Sequence, residues 1–340
     1  MSQTILILGR QPALGLAELE SLYGGNSVRS VGEHAALVEL ADSEVNFARL
    51  GGSVKSCKLL TVLDTTELRA IEKYLLDVSP EHASMLGEGK LTIGLSSYGF
   101  KFSPVQLNAT GLNIKKTIRK HSGRSVRLVP NNETALSSAQ VYHNHLTAER
   151  AWELVLVRDG DKTLLAQTIA VQDIDSYTLR DRGRPKRDTR VGMLPPKLAQ
   201  IIINLAGKHV VPDGAVIDPE HPTTKNPRTT RLLDPFCGTG VLLQEALLLG
   251  YEAYGTDLEQ RMVDYSRQNL DWLAQKYNFS GNSRLEQGDA TSHAWQKPVD
   301  IVASETYLGK PFTSTPPSAV LAATIADCNL IIKKFNLTTE

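Results

Sequence analysis

Cysteine is scarce in this 340-residue chain: Cys57, Cys237 and Cys328 stand far apart in sequence. Without a C-x-x-C pair there is no zinc ribbon or dithiol redox site, and the usage fits a reducing cytoplasm. Long apolar runs are also missing, none approaching the roughly 18 residues that a membrane span needs. The N-terminus lacks a basic segment followed by an apolar stretch, so no secretory signal is expected. His143 and His145 lie two apart in a helical stretch, on different faces, and no metal site is expected there. Net charge is absent too, with 37 Lys and Arg against 37 Asp and Glu. What remains, 41% hydrophobic and 22% charged, describes a soluble globular protein. Its length suggests two or three domains, and the cysteine usage with the missing apolar run and signal predicts a cytoplasmic protein without a membrane anchor.

The zero balance hides a division: residues 1–96 carry −4, residues 97–190 carry +7 and residues 191–340 carry −3. A basic middle between acidic flanks is the pattern of a polyanion-binding module. Local rhythm agrees with the division. "TILILG", "ALGLAELESLYG" and "HAALVEL" read as strand, helix and strand. From residue 91 come a strand, the helix "LNIKKTIRKHSG", the strand "SVRLVP" and the helix "ALSSAQVYHNHL". The stretch "WELVLVRDGDKTLLAQTI" then reads as a hairpin turning at Asp159-Gly160. After a polar connector, the helix "KLAQIIINLAG" and a Pro-rich loop at 212–230, the order becomes β-α-β-α-β-loop-α. That alternation predicts a parallel sheet with crossover helices. There is no internal repeat.

The stretch "RLLDPFCGTGVLLQEALLLG" is a short buried strand, an acid, a glycine turn and a helix. Glycines let a ligand approach the backbone, and the helix N-terminus offers free N–H groups. A dinucleotide fingerprint would place glycine three residues after Gly240, where Leu243 stands. The acid Asp234 suits a ligand with a cationic amino-acid end better than it suits a pyrophosphate. Asp257 closes the next strand, where an acid accepts ribose hydroxyls. Asp289 closes the third, where it can bind an adenine amine. Three acids at successive strand ends around one glycine turn describe a site for S-adenosylmethionine. Cys237 reads as packing in a tight turn, because no nearby His or Lys would lower its pKa.

"DPFCGTGVLLQEALLLGYEAYGTDLEQRMVDYSRQNLDWL" and the connector "YTLRDRGRPKRDTRVGMLPPKLAQIIINLAG" resemble the tRNA guanosine-10 N2-methyltransferase family. That resemblance covers nearly the whole chain and implies an α/β multi-domain protein. It places an N-terminal ferredoxin-like domain at 1–90, a THUMP RNA-binding domain at 91–172 and a linker with a leading helix at 173–230. A Rossmann-like class I methyltransferase domain follows at 231–340. By the same resemblance Asp234, Phe236, Gly238, Gly240, Asp257 and Asp289 are cofactor contacts. The basic residues Lys115, Lys116, Arg119, Lys120 and Arg124, with Arg182 and Arg184 of the connector, are the expected tRNA contacts.

The family closes its fourth strand with Asp-Pro-Pro-Tyr, whereas this chain reads Ser304-Glu305-Thr306-Tyr307. A guanine N2 lone pair is delocalised into the ring, so a carboxylate and a carbonyl must hold its two N–H groups in line with the methyl. Glu305 can supply the carboxylate and Tyr307 the stacking face. The family sheet has seven strands in the order 3-2-1-4-5-7-6, but only four are readable here, so a C-terminally incomplete sheet is expected. Two alternatives remain beside tRNA guanine methylation. One is an amino-methyltransferase for another RNA base or DNA adenine; the other is a catalytically silent RNA-binding protein. The residues leave a protein activator and a homodimer equally open.

Overall fold

The computed structural model describes residues 3–188, 194–207, 230–278, 282–296, 298–306, 312 and 314–339. Two compact units divide the chain, Met1–Phe47 with Gly52–Ile174, and Ala48–Gly51 with Asp175–Glu340.

The first unit contains β1 (Thr4–Leu8), β2 (Val28–Val31), β3 (Ala35–Val38), β4 (Ser53–Leu63), β5 (Leu91–Tyr98), β6 (Val126–Leu128), β7 (Ala151–Asp159) and β8 (Lys162–Val171). They form one eight-stranded sheet in the order β2-β3-β1-β4-β8-β7-β5-β6. The expected hairpin is present, with Asp159 opposite Lys162 across the turn. β4 and β8 pair antiparallel, Cys57 beside Thr168, so strands from 1–90 and 91–172 share one hydrogen-bonded sheet. Four helices accompany it: α1 (Pro12–Tyr23), α2 (Leu68–Ser84), α3 (Pro104–Ser122) and α4 (Ser138–His143).

Helix α3 begins eight residues before the apolar spacing suggests, and its first turn explains why. The Ser103 hydroxyl accepts from the Gln106 N–H, the Gln106 side chain accepts from the Ser103 N–H, and Pro104 fills the first helical position. This reciprocal cap satisfies two otherwise orphaned donors. Leu107, Ile114 and Ile118 of α3 then meet Ile71 and Leu75 of α2 over Ile93, Leu95, Trp152 and Leu154 of the sheet.

A charged pair lies in the same sheet. The Lys55 ammonium on β4 donates to Glu153 on β7 at 2.5 Å, with side chains 1% and 0% exposed. Lys55 also donates to the Leu136 carbonyl at 2.7 Å, while the Ser96 and Thr168 hydroxyls donate to the Glu153 carboxylate. Every charge there has hydrogen-bonded company, the condition under which a buried ion pair is tolerated.

The second unit holds β9 (Arg231–Asp234), β10 (Glu252–Asp257), β11 (Ser283–Gln287) and β12 (Ile301–Val302). All pair in parallel, as the alternating sequence predicts, and their order β11-β10-β9-β12 matches the first four strands of the order that the family resemblance implies. Its helices are α5 (Ile174–Arg182, whose first residue falls in the other unit), α6 (Pro196–Ala206), α7 (Val241–Leu248), α8 (Gln260–Tyr277) and α9 (Ser318–Thr339). Leu232 and Ile301 of the sheet bury one face against Val241, Leu242 and Ala246 of α7 and Ala199 and Ile203 of α6. Leu243 and Leu247 of α7 turn the other way, onto Ala253 and Leu270. A second buried pair, Arg180 Nε to Glu245 Oε1 at 2.7 Å, ties α5 to α7. Among the described residues β12 pairs on one side only, with β9, and Val302 is exposed. Val320, Leu321, Ile325 and Leu330 of α9 are exposed as well. The Pro-rich loop lies outside the described residues. No described helix is long and apolar enough to cross a membrane.

Candidate functional site

Parallel strands deliver their C-terminal ends to one edge of a sheet, and the side chains singled out by sequence collect there. Asp234 closes β9, Asp257 closes β10, Asp289 lies two residues beyond β11, and Glu305 lies three beyond β12.

Between β9 and α7 runs the turn Pro235 to Gly240. Gly238 has φ 51° and Gly240 φ 81°, a region that disfavours side chains. The two glycines differ in their surroundings. A Cβ on Gly240 would stand 2.8 Å from the Ser266 hydroxyl of α8, so Gly240 permits helix packing. A Cβ on Gly238 would meet none of the described residues within 4 Å, so Gly238 leaves open space beside the turn.

Two residues missed by the sequence reading hold this turn. The Ser266 hydroxyl donates to the Gly238 carbonyl at 2.8 Å, and the Asn269 amide donates to the Thr239 carbonyl at 2.8 Å. Both are fully buried on the face of α8 that carries Met262, Val263, Leu270 and Leu273. Polar residues inside an apolar helical stripe were the available signal, since buried polar groups need partners.

Asp257 secures the turn from the other side, its Oδ2 accepting from the Gly238 N–H at 2.9 Å and its Oδ1 from the Glu259 N–H at 2.9 Å. Burial nonetheless raises its pKa. Asp234 is 3% exposed. Its Oδ1 accepts from the Ser304 hydroxyl at 2.6 Å and from the Phe236 N–H at 3.1 Å. Burial pushes its pKa up to about 7, with Asp257 and Glu305 adding repulsion against the two hydrogen bonds. Asp289 is exposed and accepts from the Thr291 N–H and hydroxyl, which hold its pKa down. Glu305 is exposed as a residue, yet partial burial of its carboxyl raises its pKa. Tyr307 lies outside the described residues.

The half-buried Phe236 ring meets Phe335 edge-on at 6.2 Å, and Phe335 meets Trp295 at 5.4 Å, giving the site an aromatic wall. Cys237 is buried beside Asp234 and Asp257, which together with desolvation put its pKa well above that of a reactive thiol. It packs, as the sequence indicates. No group of three His, Cys, Asp or Glu suited to a metal occurs among the described residues.

The expected RNA contacts separate into groups. Lys116, Arg119 and Lys120 are exposed on α3, Lys115 is half-buried, and Arg182 is exposed at the end of α5. Arg124 is committed elsewhere: it donates to the carbonyls of Ala83, Leu86, Gly87 and Gly89, closing the turn after α2. Arg184 corrects the expectation outright, being 3% exposed. It lies two residues beyond the end of α5, where its guanidinium feels the carboxylates of Asp181 and Glu245 and the charge of Arg187. Burial lowers its pKa.

Residues 227–339 match a family described as a methyltransferase domain. Over 182 residues the chain is 29% identical to a tRNA (guanine(10)-N2)-dimethyltransferase of Methanothermobacter thermautotrophicus, covering 53% of this chain and 44% of that protein. A Pyrococcus abyssi protein of the same name is 33% identical over 99 residues, covering 29% of this chain and 22% of the relative. The chain thus spans less than half the length of these curated relatives. Among solved structures, SMU.472 complexed with SAH shares the fold at a TM-score of 0.51 and 13% identity, covering 98% of this chain and 92% of that one. A possible methylase from Clostridium difficile 630 does so at 0.50 and 11%, covering 99% and 86%. Residues 227–339 thus match a methyltransferase-domain family and carry a Rossmann-like fold, in a chain similar in sequence to tRNA (guanine(10)-N2)-dimethyltransferases.

Proposed function

We propose that the chain binds S-adenosylmethionine at the β9–α7 turn and methylates the exocyclic N2 amine of a guanine in tRNA. The observation that carries this reading is the row of Asp234, Asp257 and Asp289 at three adjacent strand ends, around a glycine turn with open space at Gly238. Two names support it: the sequence relatives are tRNA guanine N2-dimethyltransferases, and SMU.472 is solved with SAH. A tRNA substrate in turn supports the cytoplasmic location.

The residues fit such a cofactor. Asp234 is a buried carboxylate that an ammonium group would hold in its charged form. Asp257 has lone pairs beyond its two backbone bonds with which to accept ribose hydroxyls, and the exposed Asp289 would accept from an adenine amine. When bound, the cofactor supplies an electrophilic methyl on sulfur. The protein's part is to aim the amine. Glu305 accepts one N–H of the guanine N2 and takes up the proton that the nitrogen sheds, a task that its raised pKa favours. Tyr307 stacks on the base. The first unit, with its basic α3, holds the tRNA in the manner of a THUMP domain.

Asp257→Ala removes the ribose acceptor and the anchor of Gly238. Calorimetry should show affinity for S-adenosylmethionine weakened by about 1.5–3 kcal/mol, the worth of a charged hydrogen bond. Unchanged affinity would place the cofactor elsewhere.

Binding of tRNA should weaken steeply as salt rises from about 50 to 200 mM, with a logarithmic slope near −0.9 per phosphate contact. Lys116→Ala with Lys120→Ala should flatten that slope by about 2. Arg184→Ala, being buried, should leave the slope as it is, and an equal flattening by Arg184→Ala would restore that residue to the RNA surface. The silent RNA-binding reading draws on the exposure of Glu305 and on the serine at the first position of its motif. It requires that no methyl reach tRNA.

A further inference from the structure

Ser304 stands at the first position of the Ser304-Glu305-Thr306-Tyr307 motif, and its surroundings give it a role. The Ala303 N–H donates to the Leu233 carbonyl at 3.0 Å, so the chain leaving β12 stays in step with β9. Ser304 thereby arrives beside Asp234, and its hydroxyl donates to Asp234 Oδ1 at 2.6 Å. This distance is in the range of hydrogen bonds to an ionised acceptor. The Phe236 N–H reaches the same oxygen from the glycine turn. Among the described residues, the other titratable groups that act on Asp234 are acidic or neutral: Asp257 from β10, Glu305 beyond β12 and the Cys237 thiol in the turn.

We propose that Ser304 is a positioning residue: its hydroxyl fixes the Asp234 carboxylate toward the cofactor ammonium, joining the strand end that presents the target amine to the cofactor cradle. The inference rests on the cofactor reading above. A buried carboxylate between two other acids takes a proton readily, and a protonated Asp234 would give up its attraction for an ammonium. The Ser304 hydroxyl stabilises the charged form and orients it. This connects the motif's departure from an acid at its first position to a task in cofactor binding instead of base recognition.

The sign of the pH dependence follows. Asp234 titrates near 7 in the unliganded protein, so cofactor affinity should rise with pH and level off above that value. Loss of the Ser304 bond moves the midpoint upward, by about one unit for a tenfold change in affinity.

The test is calorimetric titration of the full chain with S-adenosylmethionine between about pH 5.5 and 8.5, alongside carboxyl-carbon NMR of Asp234 without ligand. Ser304→Ala should raise both midpoints together by about one unit and weaken binding about fivefold at pH 7, approaching tenfold below about pH 6. Ser304→Thr, which keeps the hydroxyl, should restore the original midpoints. An unchanged Asp234 titration in a folded Ser304→Ala protein would overturn the proposal even if affinity fell. Failure of the unsubstituted chain to bind at every pH would overturn the cofactor reading, and this inference with it.

Discussion

Glu305→Gln should slow methyl transfer to tRNA by about 10²-fold, on the scale of a lost acid–base group, while cofactor affinity stays nearly constant. Glutamine keeps the length of the side chain but turns one acceptor oxygen into an N–H donor, which then faces the N–H groups of the guanine amine. It also cannot accept the departing proton. Cofactor affinity changes little because the turn is held by Asp257, Ser266 and Asn269, and the repulsion of Asp234 by Glu305 is the smallest of the influences on that carboxylate. Glu305→Asp separates charge from reach. It draws the carboxylate back by one bond, roughly 1.5 Å, and restores the acid that the related family carries in this motif. Single-turnover kinetics on tRNA distinguish these effects from binding. A Gln variant with full activity would remove Glu305 from the mechanism.

Glu153→Ala should destabilise the first unit by about 3–5 kcal/mol, because it strands the Lys55 ammonium in the core with the Leu136 carbonyl as acceptor. It also leaves the Ser96 and Thr168 hydroxyls without their acceptor. Lys55→Met with Glu153→Leu should recover most of the loss, since apolar replacements of a buried pair are often neutral or better. Urea denaturation gives both numbers. A single-variant loss below about 1 kcal/mol, the level of an exposed pair, would mean that water reaches the site. Because β4 and β7 belong to one sheet, the effect should spread across the whole unit, from 1–90 as much as from 91–172.

The second unit was the more legible in sequence because its information is local. A parallel sheet needs alternating apolar strands and crossover helices, and residues 231–302 supply them in order, with an acid at each turn. The first unit depends on pairings between distant segments. The register of Cys57 beside Thr168 has no local signature, and neither does the extension of β4 to Leu63. Helix α2, unread in the sequence, carries Pro80 inside it and takes its order from packing on α3. The extent of α4 was overread: His145 adopts φ 51°, which ends the helix that "ALSSAQVYHNHL" suggests.

Within the site, charges were easier to find than their supports. Asp234, Asp257 and Asp289 announce themselves at strand ends, whereas Ser266, Asn269 and Ser304 act through hydrogen bonds that exist only after folding. Arginine misled for the reverse reason. Arg124 and Arg184 look like phosphate ligands in a basic sequence, yet one closes a loop and the other is buried.

The most direct measurement is mass spectrometry of tRNA nucleosides after incubation with the chain and methyl-labelled S-adenosylmethionine. The expected result is label in N2-methylated guanosine and in no other nucleoside. Cofactor binding without label in any nucleoside, or label in adenosine alone, would contradict it.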